Sequence, residues 1–412
     1  MPAASLAPAV QMIDEAPVPS AEPVRPPSWL VRAGPWLFQG HLIVVFSIAL
    51  SNILLGLAVL AAPWSVRLRR VRWAAAAPVT VPLALYALTL IASILASFDP
   101  LTSLNGLREL FTLTALPLAF VFVRGERAVR RLVDGLVLMG ALLAGAGLAQ
   151  YLIGYGDIER RIRGPFSHYM TFSGFLLICA LLLLASLMFG RRRRSVWRWA
   201  ALLLINVALL GSLTRSAWVA LAVTLTLLLI VRAPRLLLAY VPAAVLFIVL
   251  APVPMLQRMA SIIDLRDSSN YDRLCMVKAG LAMVEERPLF GLGPEMVERR
   301  YAIYREPTAP RFQVPHLHNT FLQLAAERGL PALASYLALL GGAAWTAWRR
   351  YLREGKSRGP RADLYAGMLL ALLAFCVAGL FENNWGDTEV QRPALFLLAV
   401  PFCLAAGENE RT

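Results

Sequence analysis

The chain has 412 residues, of which 58% are hydrophobic and only 16% charged. Soluble domains carry about 25% charged residues, so this composition excludes an ordinary soluble enzyme and indicates a polytopic membrane protein. The net charge of +15 is carried almost wholly by arginine, since Lys278 and Lys356 are the only lysines.

Residues 1–35 are rich in Pro and Ala, with Pro23, Pro26 and Pro27 opposing a helix. They have no basic start, short apolar core and cleavage site in succession, so they read as a disordered cytoplasmic tail rather than a signal peptide. The apolar block 36–64 is too long for one comfortable span, and Ser47, Ser51 and Asn52 interrupt it. It reads as a hairpin of two short helices, with one long tilted helix as the alternative. Further apolar runs follow at 78–97, 107–123, 132–153, 169–189, 197–213, 216–231, 236–253, 319–348, 364–381 and 391–406. The expected fold is all-α, with about twelve transmembrane helices or eleven if the first block is unbroken. Nine fall in 36–253 and three in 319–406, around a polar segment at 254–318 and before a cytoplasmic tail at 407–412.

Arginine position sets the orientation. One alternate set of connections holds Arg67, Arg69, Arg70 and Arg72, then Arg124, Arg127, Arg130 and Arg131, then the arginines at 191–194 with Arg198. It continues with Arg232 and Arg235, and with Arg349, Arg350, Arg353, Lys356, Arg358 and Arg361. The opposite short connections hold only Arg160, Arg161, Arg163 and Arg215. This asymmetry makes the first set cytoplasmic and puts 254–318 outside, in a bacterium the periplasm. It also explains most of the positive charge without nucleic acid, which is not an expected partner; membrane lipids are.

The 254–318 segment is the one long polar stretch, and chemistry in such a chain is expected there. Ser268, Ser269 and Asn270 can cap a helix to about 286 with Asp272 in its first turn. Pro288, Gly291, Gly293 and Pro294 break it, and an amphipathic helix at about 295–305 carries Tyr301 and Tyr304. These helices are expected to lie against the membrane and cover a cavity. His316, His318 and Asn319 close the segment, and His41 and His168 are the only other histidines. A neutral imidazole at the boundary can take a proton from a hydroxyl. Interfacial hydrogen bonding and metal binding by a His-x-His pair are the alternatives, although no acid lies near the pair in sequence.

Arg215 and Arg273 suit phosphate, because a guanidinium offers paired donors and keeps its charge. Arg163 is a third candidate, and lipid headgroup contact is the competing reading for each. Glu382, Asn383, Asn384, Trp385 and Asp387 could bind sugar hydroxyls, orient His318 or an arginine, or serve as turn polarity. Arg108 and Glu109 read as a surface pair. Cys179, Cys275, Cys376 and Cys403 form no CxxC and indicate neither disulfides nor zinc. Asp-x-Asp, GxxxxGK[ST], GxSxG and HExxH are all missing, and the spans show no succession of charges of the kind an ion-coupled transporter needs.

The ordered motifs resemble the O-antigen ligase family, membrane glycosyltransferases related to O-antigen polymerases and protein O-oligosaccharyltransferases. The family's pattern of His, then Asn, Ser or Gln, nine residues, Gly, two residues, then Gly, Thr or Tyr is similar to His318-Asn319, Gly329 and Ala332, with Ala a departure at the last place. Thr214-Arg215-Ser216-Ala217-Trp218 resembles its Ser/Thr-Arg-Gly/Ala-Trp stretch. Arg273, Pro288, Gly291 and Gly293 resemble its loop arginine and Pro-x-x-Gly-x-Gly turn. The resemblance implies that His318 is the catalytic base and that Arg215 and Arg273, with Arg163 as a weaker addition, bind a donor diphosphate. His316, Asn319, Glu382 and His168 would be supporting residues, and neither metal nor cofactor is expected. The implied donor is an undecaprenyl-diphosphate-linked glycan and the implied acceptor lipid A-core oligosaccharide, at the bacterial inner membrane. A polymerase, a protein transferase or a glycan or lipid transporter are the alternatives.

Overall fold

The computed structural model describes residues 28–406 apart from 70, 72, 155–160, 191–194, 263, 265 and 355–358. The tail expected at 407–412 and the arginines at 191–194 lie outside the described residues, as does most of 1–35. The described residues form helices and turns with no strand. The chain begins with α1 (Ser28–Ile43), α2 (Ile48–Arg69), α3 (Ala77–Leu95), α4 (Pro100–Ser103), α5 (Leu107–Leu113) and α6 (Ala115–Phe122). It continues with α7 (Gly125–Leu152), α8 (Tyr169–Phe189), α9 (Val196–Gly211), α10 (Arg215–Arg232), α11 (Leu237–Leu250) and α12 (Val253–Ala260). The last third holds α13 (Ser268–Glu286), α14 (Met296–Tyr304), α15 (Thr320–Arg328), α16 (Leu330–Arg353), α17 (Ala362–Gly379) and α18 (Thr388–Ala406).

Eight helices among the described residues are long and apolar enough to cross a membrane, so the protein is a multi-pass membrane protein. The other four expected spans form shorter pieces. The 107–123 run is divided where Thr114 turns its hydroxyl onto the Phe111 carbonyl at 2.6 Å. The first block does fold back on itself: α1 and α2 pack side by side across a turn at 44–47. Helix α1 starts at Ser28 rather than after 35, because Phe38 and Leu42 are buried and hold it in place despite Pro35.

Helices α8, α17 and α18 fill the centre and are buried along most of their length. The α16–α3 pair approaches closely because Gly342 has no side chain, and a Cβ there would meet the Pro78 carbonyl oxygen at 2.1 Å. Arg392 is 1% exposed within α18. It donates to Ser51 Oγ and Asn52 Oδ1, the two polar residues that had only marked an interruption in the first block. A single buried arginine is not a succession of charges along the spans, and Arg392 is held by partners from another helix.

The two sets of connections gather at opposite ends of the bundle. At one end Arg130 pairs with Glu126 at 2.8 Å and Asp363 at 2.7 Å, and Arg198 reaches Asp134 at 2.8 Å. At the other, Thr171 donates to Asp387 at 3.0 Å and Arg215 pairs with Asp267 at 3.3 Å.

The polar segment is larger than its sequence suggested. Met276, Met283, Met296, Tyr301, Val314, Leu317 and Ala326 form a separate small core that joins α13, α14 and α15. Helix α15 therefore belongs to this module, and the span expected from 319 begins at Leu330, after Gly329 at φ +84°. The cap of α13 is also corrected. Asp267 accepts from the Ser269 and Asn270 amides, whereas Asp272 pairs with Arg311 at 3.1 Å.

The 291–293 turn locks the module down. The Leu292 and Gly293 amides donate to the carbonyls of Ala326 and Glu327, both at 2.9 Å, and the Leu292 carbonyl accepts from the Phe98 amide at 3.2 Å. Gly293 has φ +107°, and an added Cβ would lie 2.0 Å from Ser97 Oγ. Gly293→Ala should lower stability by more than about 2 kcal/mol. A fall in the thermal midpoint of the detergent-solubilised protein would show it, whereas an unchanged midpoint would mean that the turn is not locked.

Candidate active site

Two sequence-distant segments meet at one carboxylate. Asn319 caps α15, its Oδ1 accepting from the Leu322 amide at 2.9 Å and its Nδ2 donating to the Leu380 carbonyl at 3.0 Å. The Thr320 hydroxyl donates to the Glu382 carbonyl at 3.0 Å. Together these bonds tie the 380–387 loop to the start of α15. Glu382 is thereby set against His318, whose Nδ1 lies 3.0 Å from Oε2. His316 Nε2 lies 3.7 Å from Oε1 of the same carboxylate, with the two imidazole centroids 4.3 Å apart.

The hydrogen bonds assign the protons. A carboxylate only accepts, so His318 Nδ1 carries its hydrogen and Nε2 is left with a lone pair. His316 Nδ1 accepts from the His318 amide at 3.3 Å, which places the neutral ring's hydrogen on Nε2, toward Glu382. His318 takes φ +49°, a left-handed conformation costing a non-glycine residue about 1–3 kcal/mol. Gln323, which accepts from the Leu317 amide at 2.8 Å, helps to hold it there.

Burial by itself would raise the Glu382 carboxyl, but the His318 hydrogen bond and electrostatic attraction to the His318 and His316 rings bring it below its ordinary value. Burial lowers His316 to about 4 although Glu382 pulls the other way, so this ring is neutral at pH 7. The ligand atoms of His316, His318 and Glu382 lie within 4.8 Å of one another, a group that could hold a metal ion. The reading that no acid accompanies the histidine pair is therefore corrected. Three protein ligands and an open position are also the set of a catalytic zinc site, so a cation is chemically admissible.

The candidate arginines are not equivalent. Leu213, at φ +51°, makes a tight turn that aims Arg215 inward. The Arg215 guanidinium donates to the Ser261 carbonyl at 2.9 Å, to its hydroxyl at 2.8 Å, and to the Asp267 carboxylate that also caps α13. Arg215 is thus partly neutralised and pins the polar module to α10. Arg273, half-buried on α13, has no hydrogen bond or ion pair within the described residues. Burial lowers its pKa, Glu382 counters this, and repulsion from Arg215 adds to it, so its charge sits among the groups of this centre. Arg163 donates to the Ser167 carbonyl at 3.1 Å within its own turn. His168 is exposed and caps α8, Nδ1 accepting from the Met170 amide at 3.3 Å.

Other groups went unrecognised in the sequence. Arg161 is 8% exposed and lies over the Tyr169 ring at 4.3 Å, and that tyrosine is an electrostatic neighbour of Arg273. Glu109 is no surface partner of Arg108. It accepts from Tyr86 Oη at 2.6 Å, Trp385 Nε1 at 2.9 Å and Arg328 at 2.7 Å. Glu109 had no local signal, because Tyr86, Trp385 and Arg328 lie far from it in the chain.

Fold and site together define a multi-pass membrane protein with an acid–base and guanidinium centre built at one end of its helices. Residues 199–337, which contain Arg215, Arg273, His316 and His318, match the family model described as O-antigen ligase. No curated protein matches the chain. The family match covers about a third of the chain and supports a membrane glycosyltransferase-like function in polysaccharide synthesis.

Burial, reinforced by the Glu382 charge, raises Asp387 to about 7. An acid held above its unfolded value of about 3.9 stabilises the fold fully below that value and loses the contribution as pH rises through the folded pKa. Asp387→Asn should therefore flatten the decline in thermal midpoint between about pH 4.5 and 7.5. Parallel wild-type and variant curves would contradict a protonated Asp387.

Proposed function

We propose that the protein is an O-antigen ligase, transferring a glycan from undecaprenyl diphosphate to lipid A-core at the periplasmic face of the bacterial inner membrane. The observation that carries this reading is the His318–Glu382 pair beside a guanidinium, Arg273, that has no ion-pair partner among the described residues. The acceptor hydroxyl would hydrogen-bond to His318 Nε2. As its oxygen bonds to the anomeric carbon, the proton passes to Nε2 and the carbon–oxygen bond to the diphosphate breaks, its electron pair leaving on the phosphate oxygen. Direct displacement inverts the anomeric centre.

Glu382 holds the imidazole and stabilises the imidazolium as it forms, the division of labour found in carboxylate–histidine pairs generally. Arg273 offers its donors to the departing diphosphate, where charge grows. Arg215 would share this task while anchoring the module, and Arg163 and His168 would lie at the outer approach. The basic end of the bundle, opposite the site, supports a cytoplasmic assignment for that end. The single large polar module favours a ligase over a polymerase.

His318→Ala should lower transfer by about 10²–10⁴, the usual worth of a general base, with donor binding retained. Glu382→Gln removes one charged partner, worth about 1.5–3 kcal/mol, and should slow turnover about 10–100-fold. The assay combines purified protein, lipid-linked glycan and lipid A-core with EDTA present. Product in EDTA is expected; strict dependence on an added divalent cation would instead make His316, His318 and Glu382 a metal site. Turnover unaffected by His318→Ala would remove the base from the mechanism. Product formed only on a second lipid-linked glycan would identify a polymerase.

A further inference from the structure

Beside the imidazole pair lies a polar cavity of about 280 Å³ that the steps above do not use. Its wall is shared between the approach to α5, the face of α15 and the turn into α18. His316 and Asn383 border it on the side of the acid–base centre, and neither Arg215 nor Arg273 lines it. We propose that this cavity seats one uncharged, hydroxyl-rich sugar ring of the acceptor and presents its attacking hydroxyl to His318. The proposal rests on the transferase reading and adds the place and chemistry of the nucleophile.

Size comes first. Pockets for drug-sized ligands span about 300–1,000 Å³, so this cavity suits a single ring rather than a chain. Charge is the second constraint. Glu109 is paired with Arg328, which also lies 3.2 Å from Glu327. The cavity therefore sets three acidic side chains, Glu109, Glu295 and Glu327, beside two guanidiniums, Arg108 and Arg328, a mixture that disfavours a diphosphate, whereas Arg273 has no ion-pair partner among the described residues. Burial raises Glu327 to about 7, which adds a hydroxyl-like donor near neutral pH.

Hydrogen-bonding capacity is the third. Gln391 is 3% exposed, lines the cavity, and its Nε2 has no partner among the described residues. Arg328 Nε, at the same cavity, is likewise unpartnered. Buried donors are normally satisfied, and sugar hydroxyls would supply the missing acceptors. Trp385 adds a flat apolar surface, fixed by its Nε1–H bond to Glu109 and by Tyr336 at 4.8 Å between ring centroids.

Finally, in-line displacement needs the incoming oxygen opposite the departing phosphate. The cavity is lined from α5, α15 and α18 and by His316, whereas Arg215 and Arg273 stand on α10 and α13 and do not line it. The acceptor hydroxyl would enter from the first side and its proton would pass to His318 Nε2, while the diphosphate leaves on the second.

Two variants of the full chain test this. Gln391→Leu removes the orphan amide with little change in volume, and Asn105→Trp narrows the mouth from an exposed position. Saturation-transfer NMR against a panel of methyl hexopyranosides reads sugar contact without turnover, and steady-state kinetics reads its consequence. At least one hexoside should saturate on the wild type and lose most of its signal on both variants. The KM for acceptor should rise about tenfold while the KM for lipid-linked donor stays within about twofold. Equal signals on wild type and variants, or no hexoside contact at all, would overturn the proposal. A rise in donor KM alone would assign the cavity to the donor glycan and overturn it too. Hexoside contact by a wild type that makes no product would instead sink the transferase reading, and with it the acceptor role.

Discussion

The bond between His318 and Glu382 is the constraint around which the site is arranged. A solitary imidazole at a membrane boundary has no fixed tautomer and no fixed orientation. The carboxylate supplies both, and it stays ionised although it is buried, because two imidazoles and the Asn383 amide face it. Removing its partners would leave a buried charge unpaired, so the histidines and the acid stabilise one another as well as the chemistry. The left-handed backbone at His318 is part of the same arrangement. It turns the ring out of the helical path just before α15 begins.

Such geometry needs a rigid frame outside the bundle, and the polar module provides one. Its own apolar core, from Met276 to Ala326, keeps α13, α14 and α15 together. The glycine turn at 291–293 threads between the end of α15 and the 97–103 connection, where backbone atoms approach too closely for any side chain. Arg287 and Arg300 close on Phe98 from 3.9 and 3.7 Å, adding cation–π contacts at the same junction. Arg215 and Asp267 tie the start of α13 to α10. His318 and the guanidiniums therefore belong to one connected body, although they arise from different parts of the chain.

Charge within this protein is managed by pairing across distance. Two of the Arg392 guanidinium nitrogens donate to polar side chains of α2, and Glu109 accepts from a tyrosine, a tryptophan and an arginine. Against that background Arg273 stands apart: a half-buried cation with only longer-range opposite charge from Glu382 and Asp267. A buried charge held without a direct partner costs stability, and such groups concentrate where a ligand completes them.

Much of this was legible from composition and spacing. The hydrocarbon-length runs dictate an all-α membrane fold, because every backbone polar group must be satisfied within its own helix. The arginine asymmetry separates the connections into two sets, and these do gather at the two ends. His318 and Arg215 could be singled out because residues of those types are scarce where they stand, whereas Arg273 is one of eight arginines in 254–318 and stood out by its resemblance to a family motif. What the sequence could not reveal depends on contacts between distant segments. Apolar periodicity runs unbroken from 319 to 348, yet α15 is held in the polar module by residues of α13 and α14, and only the positive φ of Gly329 separates it from α16. Glu382 follows His318 by more than sixty positions, Glu109 finds its partners on α3, α15 and the 380–387 loop, and Ser51 and Asn52 acquire a role only when α18 brings Arg392 to them. Periodicity reports a residue's local surroundings; which carboxylate neutralises which cation is decided by packing.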